Sequence, residues 1–326
     1  MILQDEIFTI KNQKHFEKLA LKVFRFQYEN NLLYRDFCDF LKTDIGSVKS
    51  LHKIPFLPIQ FFKSHTILSS DKNIQKIFTS SGTTGTINSK HSVTDLAIYE
   101  QSFRQAFSQF YGSIEDYVVL ALLPSYLERD GSSLIYMVND LIAQSNDANS
   151  GFYLHNHQEL ARKLKELDAS GKTVLLIGVT YALLDLLEID SFQLKNTIVM
   201  ETGGMKGKRK EMIREELHKI LSTDFGVSSI HSEYGMTELL SQAYSFGAGV
   251  FETPPWMQIL IRDTEDALTL LPDGKTGGIN VIDLANINSC SFIATQDLGK
   301  KNSQNQFEVL GRFDNSDIRG CNLLLS

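Results

Sequence analysis

The sequence predicts an α/β fold built on a parallel sheet and closed by a smaller β-rich region. Three observations predict it. Between residues 74 and 245, short apolar runs alternate with helical periodicity, joined by glycine-containing turns. From about residue 246 helical periodicity is scarce and strand-like runs take over. At 326 residues the chain is long enough to bury a full core without disulfide or metal staples.

Each element follows from its pattern. Phe16, Leu19, Ala20, Val23 and Phe24 share one face of a helix over 14–30. Ile54-Pro55-Phe56-Leu57-Pro58-Ile59 cannot be helix interior, because its two prolines remove donors and hold their predecessors extended. Ile74 to Thr79 reads as a strand running into the turn 80–85. Leu96, Tyr99, Phe103, Phe107 and Phe110 mark one side of a helix near 95–110, with Thr94 or Asp95 as N-cap. Val118 to Leu123 reads as a buried strand stopped by Pro124, and Thr173 to Gly178 as another, followed by a helix at 181–188. Thr197 to Met200 is a third strand. A helix over 208–221 then turns Ile213, Leu217, Ile220 and Leu221 inward. Further on, Met257 to Ile261 and Gly278 to Leu284 read as strands around a Pro272-Asp273-Gly274 turn. Four regions are therefore expected: an N-terminal helical and extended segment (1–73), an α/β core (74–245), a β-rich subdomain (246–310) and a tail (311–326).

Composition excludes several classes. Forty-two per cent of the residues are hydrophobic and 22% are charged, which argues against disorder. The net charge of −7 disfavours a nucleic-acid surface, which needs excess positive charge to release counterions. Cys38, Cys290 and Cys321 form no CxxC pair, so no disulfide framework or zinc ribbon is expected. The N-terminus has no basic secretory n-region, and no apolar run approaches the ~20 residues of a membrane span. A cytoplasmic protein is expected.

Four segments carry candidate chemistry. In Thr79-Ser80-Ser81-Gly82-Thr83-Thr84-Gly85-Thr86, glycines let backbone N–H groups turn inward and the hydroxyls add donors, a composition that wraps phosphates. It also suits a plain polar turn, and no Gly-Lys-Ser/Thr closes it as a Walker loop. In Glu233-Tyr234-Gly235-Met236-Thr237-Glu238, a tyrosine face suits a purine, a threonine hydroxyl a phosphate, and a carboxylate Mg2+. The alternative is a loop entering a helix, with Thr237 and Glu238 as caps. Glu201-Thr202-Gly203-Gly204 leads into Lys206, Lys208, Arg209 and Lys210. Those cations would occupy the wrong end of a helix dipole, which marks either an anion site or a solvated basic turn. In the tail, Asp297 suits the two hydroxyls of a ribose, Arg312 suits a phosphate, and Cys321 is either an accessible thiol or a small buried apolar residue. His155-Asn156-His157 lacks partners at metal-ligand spacing, and no Gly-x-Ser-x-Gly elbow is present.

In this order, these pieces resemble the adenylate-forming superfamily of acyl-CoA synthetases and adenylation domains. Thr79–Gly85 is similar to its phosphate loop, Tyr234–Glu238 to its Tyr-Gly-x-Thr-Glu element, Gly203-Gly204 to its adenine-side turn, Asp297 to its ribose aspartate, and Gly311-Arg312-x-Asp314 to its hinge. Within it, Ile54–Lys63, Leu123–Leu134 and the ending Arg319-Gly320-Cys321 resemble the long-chain acyl-protein synthetases of bacterial bioluminescence. The resemblance implies the large N-terminal domain of the adenylate-forming fold, without the usual mobile C-terminal domain and its lysine. It implies ATP and Mg2+, with Ser80, Ser81, Gly82, Thr83, Thr84 and Gly85 at the β/γ-phosphates and Gly203, Gly204 and Tyr234 at adenine. Asp297 would take the ribose, Thr237 the α-phosphate and Glu238 the Mg2+. Lys206, Lys208 or Arg312 would replace the lysine's charge. A carboxylic acid, expected to be a fatty acid, would become an acyl-adenylate. Cys321 would then accept the acyl group as a thioester. Ten residues separate it from Gly311, a reach of at most ~33–36 Å. An acyl-reductase or acyl-carrier protein would receive the group, and residues near 126–136 and 176–184 would line the acyl pocket. Two alternatives stay open: an aryl- or acyl-CoA ligase, and a non-catalytic nucleotide-binding protein of the same fold.

Overall fold

The N-terminal helices form where the apolar spacing demands. In the computed structural model, which describes residues 3–80, 87–124, 130–203 and 212–312, the chain opens with α1 (Leu3–Ile7), α2 (Gln13–Asn30) and α3 (Leu32–Phe40). Asn12 caps α2 by accepting the His15 N–H at 2.9 Å, a contact of about 1 kcal/mol. The helix buries the five apolar residues expected of it, and also Gln27. Gln27 is fully buried because its amide is saturated. Nε2 donates to the carbonyls of Asn286 (3.1 Å) and Ile287 (3.0 Å) and to Ser291 Oγ (3.2 Å), while Oε1 accepts the Ser291 N–H at 2.9 Å. Beside it Phe24, Tyr34, Phe56 and Phe292 form an aromatic cluster, with Tyr34 stacked on Phe292 at 6.0 Å. Cys38 and Cys290 are buried in the same unit, and burial pushes each thiol up to about 12.

The proline-rich stretch is extended as expected. Strand β1 (Leu57–Pro58) lies parallel to a C-terminal strand, with Leu57 opposite Ile293 and Pro58 opposite Ala294. A short α4 (Phe61–Ser64) follows, then β2 (Lys76–Thr79) and β3 (Lys90–Val93). The described residues up to Ile77, with Ser89–Asp95 and those from Pro255 onward, make one compact unit. Those of Phe78–Asn88 and Leu96–Pro254 make the other.

The second unit is the α/β layer. Its elements are α5 (Leu96–Tyr111), β4 (Val118–Leu122), α6 (Ser133–Ser145), β5 (Gly151–Phe152), α7 (His157–Ala169), β6 (Val174–Gly178), α8 (Thr180–Leu187), β7 (Thr197–Glu201), α9 (Arg214–Phe225), β8 (His231–Tyr234), β9 (Ala243–Ser245) and β10 (Val250–Phe251). The sheet order is β5-β4-β6-β7-β8-β9. All neighbours are parallel except β8 and β9, which are antiparallel. Strands β4 and β6 are buried at every position, which explains their unbroken apolar runs.

Helix α9 corrects the expectation for 208–221. It begins at Arg214, and Ile213 is its exposed N-cap residue (67% exposed) instead of an inward one. Its first turn carries Glu215 and Glu216, so the dipole rule is obeyed. Misplaced cations therefore give no reason to expect an anion site at this helix. Lys206, Lys208, Arg209 and Lys210 lie outside the described residues.

The first unit is completed by β11 (Met257–Arg262), β12 (Leu270–Leu271), β13 (Thr276–Asp283), β14 (Phe292–Lys301) and β15 (Phe307–Arg312). They run antiparallel in the order β15-β14-β13-β11-β12, with β1 parallel to β14. The Pro272-Asp273-Gly274 turn is present, with Gly274 at φ +85°.

Candidate functional site

In an open parallel sheet, ligands gather beyond the carboxyl ends of the strands. Here β6 ends at Gly178, β7 at Glu201 and β8 at Tyr234. Gly178 pairs with Glu201, and Glu201 with Ser232. Strand order reverses between β4 and β6, beside the acyl-pocket candidates near 176–184.

The Tyr-Gly-Met-Thr-Glu segment sits at this edge. Tyr234 is buried at the end of β8, with the Phe251 ring edge-on at 5.9 Å. Arg214 covers the same phenylalanine at 5.0 Å. A turn follows, closed by the Leu239 N–H on the Met236 carbonyl at 3.1 Å, and the chain continues into β9 without a helix. Thr237 is half-buried and Glu238 is buried, so they are turn residues and not helix caps. Gly235 is closely approached: a Cβ there would stand 2.5 Å from Glu233 Oε1, which would have to shift.

Two acids beneath this edge had no assigned role in the sequence. Glu201 is 3% exposed. Its Oε2 accepts the Gly203 N–H at 2.6 Å and the Thr180 hydroxyl at 3.3 Å, and His218 Nε2 lies 3.5 Å from Oε1. Burial pushes its carboxyl up, but His218, the Arg214 charge and the Gly203 amide outweigh burial and hold it below the usual range. Glu233 has the opposite fate. Burial, then the charge of Glu201, push it up to about 8. At neutral pH one acid of the pair is ionised and the other carries a proton. The available sequence signal was the position of Glu201 as a charged last residue of a buried strand. Gly203, with φ +77°, is fixed by that carboxylate.

Ser80 is half-buried, just past β2. The strand leading to it is tied down by the Thr79 N–H, which donates to the Gly131 carbonyl at 2.7 Å. Gly131 has no room for a side chain, since a Cβ would meet Thr79 Oγ1 at 2.6 Å. Ser81, Gly82, Thr83, Thr84, Gly85, Gly204 and Cys321 lie outside the described residues.

In the other unit, Asp297 and Arg312 are brought together. They are register partners on β14 and β15, and Arg312 Nε lies 3.5 Å from Asp297 Oδ1. Asp297 is buried, whereas the Arg312 side chain is 69% exposed. Asp297 rides on an irregularity. Gly278 faces Leu298 and Asn280 faces Ala294, so Ile279 opposes the three residues Thr295–Asp297.

Comparison with known proteins decides the family. Residues 5–112 and 133–326 match the family described as "Acyl-protein synthetase, LuxE". The chain belongs to the LuxE acyl-protein synthetase family. As a member it is an AMP-forming acid–thiol ligase that activates an acyl group and passes it to a protein. The long-chain-fatty-acid–luciferin-component ligase of Vibrio harveyi is 25% identical over 342 residues, covering 98% of this chain and 89% of that protein. The ligase of the same description from Aliivibrio fischeri is 21% identical over 322 residues, covering 89% and 80%. Solved structures show the adenylate-forming fold. An open conformation of 2-hydroxyisobutyryl-CoA ligase with 2-HIB-AMP and CoA matches 94% of this chain and 72% of its own, at TM-score 0.66 and 13% identity. Apo MatB from Rhodopseudomonas palustris matches 76% of this chain at TM-score 0.54 and 18% identity. This chain spans about half (49%) of that longer protein. Among the described residues of this family member, no helix is long and apolar enough to cross a membrane.

Proposed function

We propose that the protein activates a fatty acid with ATP and Mg2+ in the cytoplasm and transfers the acyl group through its own Cys321 to an acyl-reductase or acyl-carrier protein. The observation that carries this reading is the edge of the parallel sheet, where Tyr234 ends β8, Thr237 and Glu238 lie in the turn after it and Gly203 follows the neighbouring β7. Its donor set suits a nucleotide and a hard cation. Tyr234 offers a ring to adenine, Gly203 a fixed backbone turn, Thr237 a hydroxyl to the α-phosphate and Glu238 carboxylate oxygens to Mg2+. Ser80 to Gly85 would hold the β/γ-phosphates, Asp297 the ribose and Arg312 a phosphate. Bound Mg2+ would neutralise phosphate charge.

In the first step the acid's carboxylate attacks the α-phosphate in line, forming acyl-adenylate and releasing pyrophosphate. Positioning and charge neutralisation carry it. In the second, the Cys321 thiolate attacks the acyl carbonyl. A thioester bond forms, and AMP leaves with the electron pair. The acyl chain is assigned to the residues near 126–136, of which 126–129 lie outside the described residues, and near 176–184, beside the point where strand order reverses between β4 and β6.

The test is pyrophosphate release over a panel of straight-chain fatty acids, followed by intact-mass analysis of the protein. Acyl adduct on the wild type is expected. Cys321→Ala should keep acid-dependent ATP–pyrophosphate exchange and lose the adduct. An adduct retained on Cys321→Ala would remove that thiol, and acyl-CoA released on adding CoA would favour a CoA ligase.

A further inference from the structure

The irregularity that presents Asp297 encloses a buried cation. Arg262 is the last residue of β11 and only 6% exposed. Its Nη1 donates to the Ile279 carbonyl and to Asn280 Oδ1, each at 2.8 Å, and its Nη2 donates to the Thr295 carbonyl at 2.5 Å. Both carbonyls lie inside the register shift between β13 and β14, where regular rungs are missing. A buried carbonyl needs a donor, and here the guanidinium supplies it to both strands at once.

The fit is specific to a flat fork. Gly278 leaves the room: a Cβ there would stand 2.5 Å from the guanidinium carbon of Arg262. The path to Asp297 is short. The Thr295 hydroxyl donates to the same Ile279 carbonyl at 2.8 Å and accepts the Asp297 N–H at 3.1 Å. Burial lowers Arg262 to about 10, with the charge of Asp297 acting the other way, so the group stays cationic at neutral pH. Asp297 thus has guanidinium charge from Arg262 and from Arg312.

We propose that Arg262 is a positioning residue that holds the β13–β14 bulge in shape, aims Asp297 and thereby sets how strictly the enzyme recognises the ribose hydroxyls of its nucleotide. This rests on the reading of Asp297 as the ribose ligand, and the experiment separates the two. Titration calorimetry on the full-length protein compares ATP with 3′-deoxy-ATP, without any acid. A hydrogen bond to a charged group predicts a wild-type preference for ATP of about tenfold or more. Asp297→Asn and Arg262→Lys should each cut it to about threefold or less, because lysine keeps the charge but loses the planar fork. The double variant should fall no further than either single one, as expected for coupled residues. Gly278→Ala reaches the same end by displacing the guanidinium without removing it. Thermal melts select which of the two variants, Arg262→Lys or Gly278→Ala, is folded, and the preference is read on that protein. A purely structural arginine would lower the melting temperature and leave the preference intact. Loss of preference in Asp297→Asn but not in the folded Arg262→Lys or Gly278→Ala protein overturns the proposal alone. An unchanged preference in Asp297→Asn overturns the ribose reading and the proposal with it.

Discussion

The strand-end acids of the parallel sheet and the bulge acid of the antiparallel sheet are buried alike and surrounded differently. Glu201 and Glu233 sit on β7 and β8, and burial, then the charge of Glu201, favours a proton on Glu233. Asp297 lies instead beside the charges of Arg312 and Arg262. A buried carboxyl's neighbours decide whether it offers a charge or a proton. The strand-end pair offers both, and Asp297 is equipped as an acceptor.

That contrast can be broken first at Glu201. Glu201→Ala would leave the Gly203 amide and the Thr180 hydroxyl without their common acceptor and Arg214 without its neighbouring opposite charge. A loss of about 3–5 kcal/mol in urea denaturation is expected, as for removal of one member of a buried charge pair. Glu201→Gln, which keeps an acceptor for the Gly203 N–H, should lose less. An alanine variant as stable as the wild type would make Glu201 a bystander. Next comes Glu238, in the turn beyond the pair. Glu238→Gln should slow acid-dependent ATP–pyrophosphate exchange by ~10²-fold or more, as for loss of a key electrostatic group. Unchanged exchange would take it out of the reaction.

The smallest effect sharpens the comparison through pH. Glu233 titrates at about 8 when folded, against an ordinary 4.5. Between those values the native state holds a proton that the unfolded state has lost. Stability from this group is therefore full below pH 4.5 and falls as pH rises to about 8, by at most ~1.4 kcal/mol per pH unit. Glu233→Gln should remove that slope and stabilise the protein at pH 8 by about 1–3 kcal/mol. Urea midpoints at pH 5.5 and 8 for both proteins decide it, and identical slopes would show that Glu233 is ionised throughout.

Local patterns made much of the architecture legible. The runs at 118–123 and 173–178 became β4 and β6 because strands covered on both faces have no polar side to show. Tyr234, Thr237 and Glu238 stood out by residue type and by the resemblance of their segment to the Tyr-Gly-x-Thr-Glu element, and their roles are proposals. What local pattern could not show was tertiary. Ile213 looked like a core residue of a helix that begins only after it. Arg262 fell just outside the strand read over 257–261, and its contacts depend on Gly278 and Thr295 on the next two strands of the sheet. Gln27 was not singled out at all, because its partners lie about 260 positions along the chain.

The Gln27 clasp also bears on biosynthesis. The carbonyls that Gln27 grips belong to residues 286–289, so α2 emerges from the ribosome long before its counterpart exists. Translation of the 159 residues from Leu96 to Pro254 takes roughly 10–30 s at ~5–20 residues per second. Throughout that interval Phe24 and Tyr34 have no Phe292 to cover them. Helices α2 and α3 therefore gain these partners only once residues 286–292 have been made.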